Sequence, residues 1–281
     1  MSKSVYEMVT ERIIDQLENG IIPWERPWTG IRSGAHNRVS NKSYSLLNQM
    51  LLIHDGEYAS FKQWTELGGK IKKGEKSEIV VFWKIQPIEE TKENGTIEIK
   101  NIPLLRYYNV FHISQVEGIE PKEVIELTDL EPITEAERIK EEYKEREHIV
   151  IMEMVTNEAY YNPTKDFIKV PCKEQYKNIE EFYSTLFHEM THSTGHKSRL
   201  DRLNTGAKAR FGSETYSKEE LVAEIGCASL LNILGIETTK TFINSSAYIQ
   251  NWLQVLKNDN KFIISASSKA EKAVKYILGE E

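Results

Sequence analysis

His188-Glu189-Met190-Thr191-His192 sets two imidazoles and a carboxylate in the spacing His-Glu-x-x-His. The chain has 7 histidines, and three of them, His188, His192 and His196, fall within nine positions. On a helix, residues four apart share a face. His188 and His192 can then bind one Zn²⁺ together, with Glu189 beside it. A metal so held lowers the pKa of a bound water, and the glutamate takes the proton as that water attacks a carbonyl. An amphipathic helix carrying two chance histidines would also accommodate Leu186 and Phe187. The flanks favour the metal: residues 178–183 continue the helix upstream, and Gly195 stands where its C-cap is due.

A tetrahedral site of this kind needs a third protein ligand and one open position. The pattern His-Glu-x-x-His-x-x-Gly-x-x-His is matched at Gly195, but its last position is Ser198, and His196 falls two residues short. The alternative is a glutamate on a second helix. Residues 217–228 supply Glu220 and Glu224 on one face among apolar and small residues. A carboxylate on a packed face must be paired or ligating. Glu220 is read as the ligand and Glu224 as acceptor for a ligand histidine N–H, with the reverse assignment open. Ser217 and Glu220 also match a capping box, a purely structural role. Tyr160, Tyr161 and His196 are the candidates for stabilising an oxyanion.

The elements that position these groups belong to a chain of 281 residues with 40% hydrophobic and 28% charged content, ordinary for two modest globular domains. No apolar run approaches a membrane span, and residues 1–7 lack a signal-peptide core. Cys172 and Cys227 fit a reducing compartment as two buried thiols, and the expected location is the cytoplasm. The net charge of −7 is uneven: residues 26–76 hold nine basic and four acidic side chains. A local basic segment in an acidic chain permits nucleic-acid contact.

The periodicity predicts helices over 5–17, 46–53 and 61–67, strands over 78–85 and 104–113, and a hairpin signal at Asn94-Gly95. Residues 37–44 read as a polar loop. Two Pro-Trp pairs, at Trp24 and Trp28, either stack bases or anchor a loop to the core. Lys70, Lys72, Lys73 and Lys76 form a Gly- and Lys-rich turn, either solvated or touching phosphates; Glu75 between Gly74 and Lys76 rules out a P-loop. With Arg38, Lys42 and Tyr44, these residues suit single-stranded nucleic acid, where bases stack on rings and phosphates meet cations. Residues 121–148 read as a solvated boundary leading into a charged helix from Glu135. Beyond it, 149–154 is a strand or late helix. Residues 159–171 read as strand, turn and edge strand, and an edge strand beside a cleft can pair with an extended peptide. Apolar helices follow over 220–234, 243–256 and 267–278. The fold class is α+β: an N-terminal α+β domain over 1–120 and a mainly helical domain with a small sheet over 149–281.

The chain resembles the ArdC-type antirestriction proteins of conjugative plasmids and phages. In the first half the resemblance lies in Leu17-Glu18-Asn19-Gly20, Ile22-Pro23-Trp24, Pro27-Trp28, Gly68-Gly69, Lys72-Lys73-Gly74-Glu75-Lys76, Val81-Phe82-Trp83-Lys84 and Tyr108-Asn109-Val110-Phe111. In the second half it lies in Ala159-Tyr160-Tyr161, the histidine motif, Gly195-His196, Arg199-Leu200-Asp201-Arg202 and Glu219-Glu220-Leu221-Val222-Ala223-Glu224. Residues 40–44, 46–48 and 110–112 depart from the family's usual segments. The resemblance implies a single-stranded-DNA-binding domain followed by a zincin-like metallopeptidase domain, and a role in protecting incoming mobile-element DNA from host restriction. The implied partners are single-stranded DNA and a protein or peptide substrate. The implied cofactor is one Zn²⁺ per chain, with Mn²⁺ as the alternative. A rival reading makes the chain a DNA-coating shield whose metal domain is structural.

Overall fold

Ser4 opens the first helix. Its hydroxyl accepts the Glu7 N–H at 3.2 Å while the Glu7 carboxylate accepts the Ser4 N–H at 2.7 Å, a capping box. The helix, α1 (Val5–Glu18), ends at Asn19, and Gly20 follows at φ 76°, a conformation that favours glycine. The structure is a computed structural model that describes residues 3–24, 34–92, 97–122, 132–203, 214–236 and 245–280.

The first half continues through β1 (Ala35–Asn37), α2 (Leu46–Leu51), β2 (Gly56–Ala59), α3 (Phe61–Glu66), β3 (Lys70–Ile71), β4 (Glu78–Thr91), β5 (Ile97–His112) and β6 (Val116–Glu117). One sheet has the order β1-β2-β5-β4, and β3 pairs with β6. The segment read as a loop over 37–44 begins on β1 and closes through a bridge from His36 to Ser43, with Asn37 Oδ1 accepting the Val39 and Ser40 N–H groups. β4 and β5 pair antiparallel from Glu78↔Val110 to Thr91↔Ile97, longer than the predicted strands. Most of the outer stretch is exposed on both faces, so it lacks the alternation that marks a half-buried strand. Asn94-Gly95 lies outside the described residues.

The second half runs α4 (Pro132–Glu147), β7 (Val150–Met154), β8 (Tyr160–Asn162), β9 (Phe167–Pro171), α5 (Ile179–Ser193), α6 (Glu214–Leu234), α7 (Ser245–Asn258) and α8 (Phe262–Leu278). Two expectations change here. Residues 167–171 are not an edge: the sheet order is β7-β9-β8, which makes β9 central and β8 an edge, antiparallel to it. The charged helix expected from Glu135 is present as α4, starting at Pro132, but it is not solvated on all sides. Ala136, Ile139 and Tyr143 pack into a core with Phe182, Tyr183 and Leu186. The surrounding charges mask this apolar stripe. One of them, Lys140, is itself buried against Glu137, Glu141 and Glu153.

A further core crosses the predicted boundary. Val9, Ile13 and Leu17 of α1, Met50 of α2 and Val81 of β4 pack with Leu221, Val222 and Ile225 of α6, Trp252 of α7 and Ile263 of α8. The α+β architecture thus has two domains whose helices share apolar burial. Cys172 and Cys227 are free thiols, Cys227 buried and Cys172 half-buried. No helix of the described residues is long and apolar enough to cross a membrane.

Candidate metal centre

Asn178 caps α5 by accepting the Glu181 N–H at 2.8 Å, and Glu180 and Glu181 sit in the first turn, where acidic side chains oppose the helix dipole. Phe182, Leu186 and Met190 bury one side of the helix. His188 and His192 emerge beside α6. After Ser193 the chain turns tightly: the Arg202 and Leu203 N–H groups donate to Gly195 O at 2.9 and 2.8 Å. A Cβ at Gly195 would lie 2.7 Å from Leu203 Cγ, so the turn requires glycine.

α6 begins at Glu214, a turn before the predicted cap, so Ser217 and Glu220 are interior positions and form no capping box. That removes the structural explanation of Glu220. Its two carboxylate oxygens lie 3.4 Å from His188 Nε2 and 3.5 Å from His192 Nε2. The two Nε2 atoms are 3.1 Å apart. One ligand atom from each of the three residues falls within 4.8 Å of the others. Two imidazole nitrogens and one carboxylate oxygen, gathered so closely, fit a tetrahedral divalent ion with a position left for water. Glu189 is buried on the same helix.

The outer ring nitrogens also face carboxylates. His188 Nδ1 lies 3.6 Å from Glu224, and His192 Nδ1 lies 3.5 Å from Glu219. Helical spacing pointed to such a role for Glu224 but not for Glu219, whose significance depends on Arg202 across a loop. Arg202 Nη2 and Nε donate to Glu219 at 2.9 to 3.2 Å. Burial disfavours charge on both rings, but Glu220 beside His188, and Glu219 and Glu220 beside His192, outweigh it and raise both pKa values. Burial likewise works against an ionised Glu220, yet the two imidazoles hold it well below the usual carboxylate range. Burial pushes Glu224 up.

Of the oxyanion candidates, the Tyr161 hydroxyl donates to Asp166 at 2.7 Å and accepts from Arg199 at 3.2 Å. Tyr160 packs on Phe167 with Lys169 over its ring. His196 Nδ1 lies 2.7 Å from the Ser198 hydroxyl. Tyr176, which no motif in the sequence singles out, has a phenol raised by burial first and in part by the charge of Glu189.

The expected nucleic-acid residues divide. Trp24 is 4% exposed, its ring edge-on to Trp252 at 5.5 Å, so it anchors a core and offers no face to a base. Trp28 lies outside the described residues. Arg38 is not a free cation either: it meets both Glu57 oxygens at 2.6 Å. Tyr44 is half-buried, edge-on to Tyr58. Lys42, Lys70, Lys73 and Lys76 are exposed, as is Lys72, whose ammonium donates to Ser114 O at 2.7 Å. The hairpin adds an aromatic pair, Tyr108 of the aromatic-rich first half with Phe82, which was not among the expected residues. Phe82 and Tyr108 are 42% and 38% exposed with ring centroids 5.7 Å apart. The register places Arg106 opposite Phe82 on that same face. The doublets Phe82-Trp83 and Tyr107-Tyr108 were the available signal.

Residues 3–111 match the family model described as the N-terminal domain of anti-restriction factor ArdC, and residues 138–269 match that of a zincin-like metallopeptidase. Protein y4eC of Sinorhizobium fredii is 30% identical over 292 residues, covering 99% of this chain and 92% of that protein. A DNA primase TraC of Escherichia coli is 32% identical over 310 residues, but this chain spans only 28% of its length. A second TraC is 29% identical, and the chain spans 20% of it. The metal-free crystal structure of the antirestriction protein ArdC from plasmid R388 superposes with a TM-score of 0.78 at 33% identity, covering 99% of this chain and 100% of that one. Its Mn(II)-bound form gives 0.79 at 32% identity, covering 99% and 98%. Joined end to end in one chain, an ArdC N-terminal domain and a zincin-like domain with its histidines and glutamate gathered place this protein in the ArdC antirestriction family.

Proposed function

We propose that the chain binds single-stranded DNA through its first half and carries a metal-dependent peptidase site in its second, and that it protects incoming mobile-element DNA from host defence in the cytoplasm. The convergence of His188, His192 and Glu220 within 4.8 Å carries the reading. Zn²⁺ is the metal this donor set suits, with Mn²⁺ the alternative; the relative from R388 is described as Mn(II)-bound. A bound ion would supply Lewis acidity to a water and to the scissile carbonyl. Glu189 would take the water's proton on its carboxylate and return it to the leaving amine. The open side of edge strand β8 suits main-chain pairing with an extended peptide.

Phe82 and Tyr108, with Arg106 beside them, support base stacking, and the exposed lysines at 42, 70, 72, 73 and 76 support phosphate contact. That exposed surface also favours a second reading, in which DNA is shielded by coating alone and the metal domain is structural. Glu189→Ala separates the two, because it leaves the three ligands and the DNA surface in place. The peptidase reading predicts loss of protection in a restriction assay, and full protection would leave the shield.

A further inference from the structure

We propose that Glu219, held by Arg202, is a positioning residue that fixes the His192 imidazole for metal binding and thereby sets the affinity of the site. The inference rests on the metal reading above and goes beyond its ligands. Glu219 and Glu220 are consecutive on α6 and turn to different atoms of one ring. Glu220 faces His192 Nε2 at 3.5 Å, and Glu219 faces Nδ1 at 3.5 Å. A carboxylate at Nδ1 favours the tautomer that carries its proton there and leaves Nε2 free to ligate.

Glu219 is itself immobilised. The Arg202 side chain is buried and places Nε at 3.2 and 3.1 Å and Nη2 at 2.9 Å from the carboxylate. The same guanidinium donates to Thr194 Oγ1 at 2.9 Å and Thr191 O at 2.7 Å, both at the end of α5. One arginine therefore ties the last turn of the histidine helix to the glutamate behind its second histidine. It also offsets one of four acidic groups, Glu189, Glu219, Glu220 and Glu224, crowded around two imidazoles. His188 is backed differently: Glu224 stands 3.6 Å from its Nδ1, and no lysine or arginine ion pair to Glu224 is seen among the described residues.

The test uses the full chain, stripped of metal and titrated with Zn²⁺ and separately with Mn²⁺ against a chromophoric chelator. Glu219→Gln keeps the shape of the side chain and removes its charge. Affinity for both ions should fall about 10–100-fold. Histidine ¹⁵N spectra of the zinc-loaded chain should change at His192 Nδ1 and stay as in the wild type at His188. Glu219→Asp, which restores the charge, should recover part of the affinity. Unchanged affinity in Glu219→Gln, or equal disturbance of both histidines, would overturn the positioning role while leaving the metal site standing. If the wild-type chain took up neither ion, the site itself would fall, and this inference with it.

Discussion

Gly226 of α6 lies directly against Thr191 of α5: a Cβ built there would fall 2.7 Å from Thr191 Cγ2 and 3.0 Å from its Oγ1. The helix that supplies both histidines and the helix that supplies Glu220 approach closely because one residue at their crossing has no side chain. Gly226→Ala should push α6 outward, cost about 1–3 kcal/mol in denaturant unfolding, and weaken metal binding by separating Glu220 from the imidazoles. Adding Thr191→Ser removes the Cγ2 methyl, the nearest atom, and should restore much of the stability and of the affinity. If Gly226→Ala bound metal as the wild type does, this packing would not set the ligand geometry.

The aromatic residues of the first half should separate by role. Phe82→Ala and Tyr108→Ala should each weaken single-stranded oligonucleotide binding by about 1–3 kcal/mol with little change in stability. Trp24→Ala should instead cost about 3–5 kcal/mol of stability, as removal of a buried ring does. Binding unaffected by both hairpin substitutions would move the DNA surface elsewhere.

The lysine turn should act through charge. Lys70→Gln, Lys73→Gln and Lys76→Gln combined should flatten the dependence of DNA affinity on salt. For a single strand, each phosphate that a lysine no longer neutralises reduces the slope of log affinity against log salt by about 0.7. An unchanged slope would make the turn merely solvated.

Acid should loosen the packing of α4 against the core it shares with Phe182, Tyr183 and Leu186. Burial raises the Glu137 carboxyl, but hydrogen bonds from Lys140, Tyr183 and Lys173 prevail and bring it down to about 2. A carboxyl depressed in the folded state contributes stability that is complete above its unfolded pKa, about 4.3, and is lost as pH falls towards 2. The wild type should lose stability over that interval, and Glu137→Gln should lose less of it. Parallel curves for the two proteins would assign the acid sensitivity to other carboxylates.

What the sequence disclosed depended on how local the cause was. The pairing of His188 with His192 is legible because helical spacing alone brings the imidazoles together. Glu220 is legible because a carboxylate in an apolar stretch demands a partner. Glu219 sits beside it with the same side chain, and only the arrival of Arg202 from a separate loop distinguishes its task. The start of α6 was hidden by a chance match: Ser217 and Glu220 have capping-box spacing, yet the helix is already under way at Glu214. That β9 is central, with β8 at the edge, is set by strand order, which no single strand encodes. Trp24 and Phe82 are both aromatic residues near basic segments, and only tertiary packing buries one and exposes the other.

Metal content of the full chain is the most direct test of the central claim. Purified wild-type protein, loaded and then desalted, should carry one divalent ion per chain. The His188→Ala, His192→Ala double variant and the Glu220→Ala variant should carry essentially none under the same treatment. A double variant that still held its ion at wild-type stoichiometry would contradict the account.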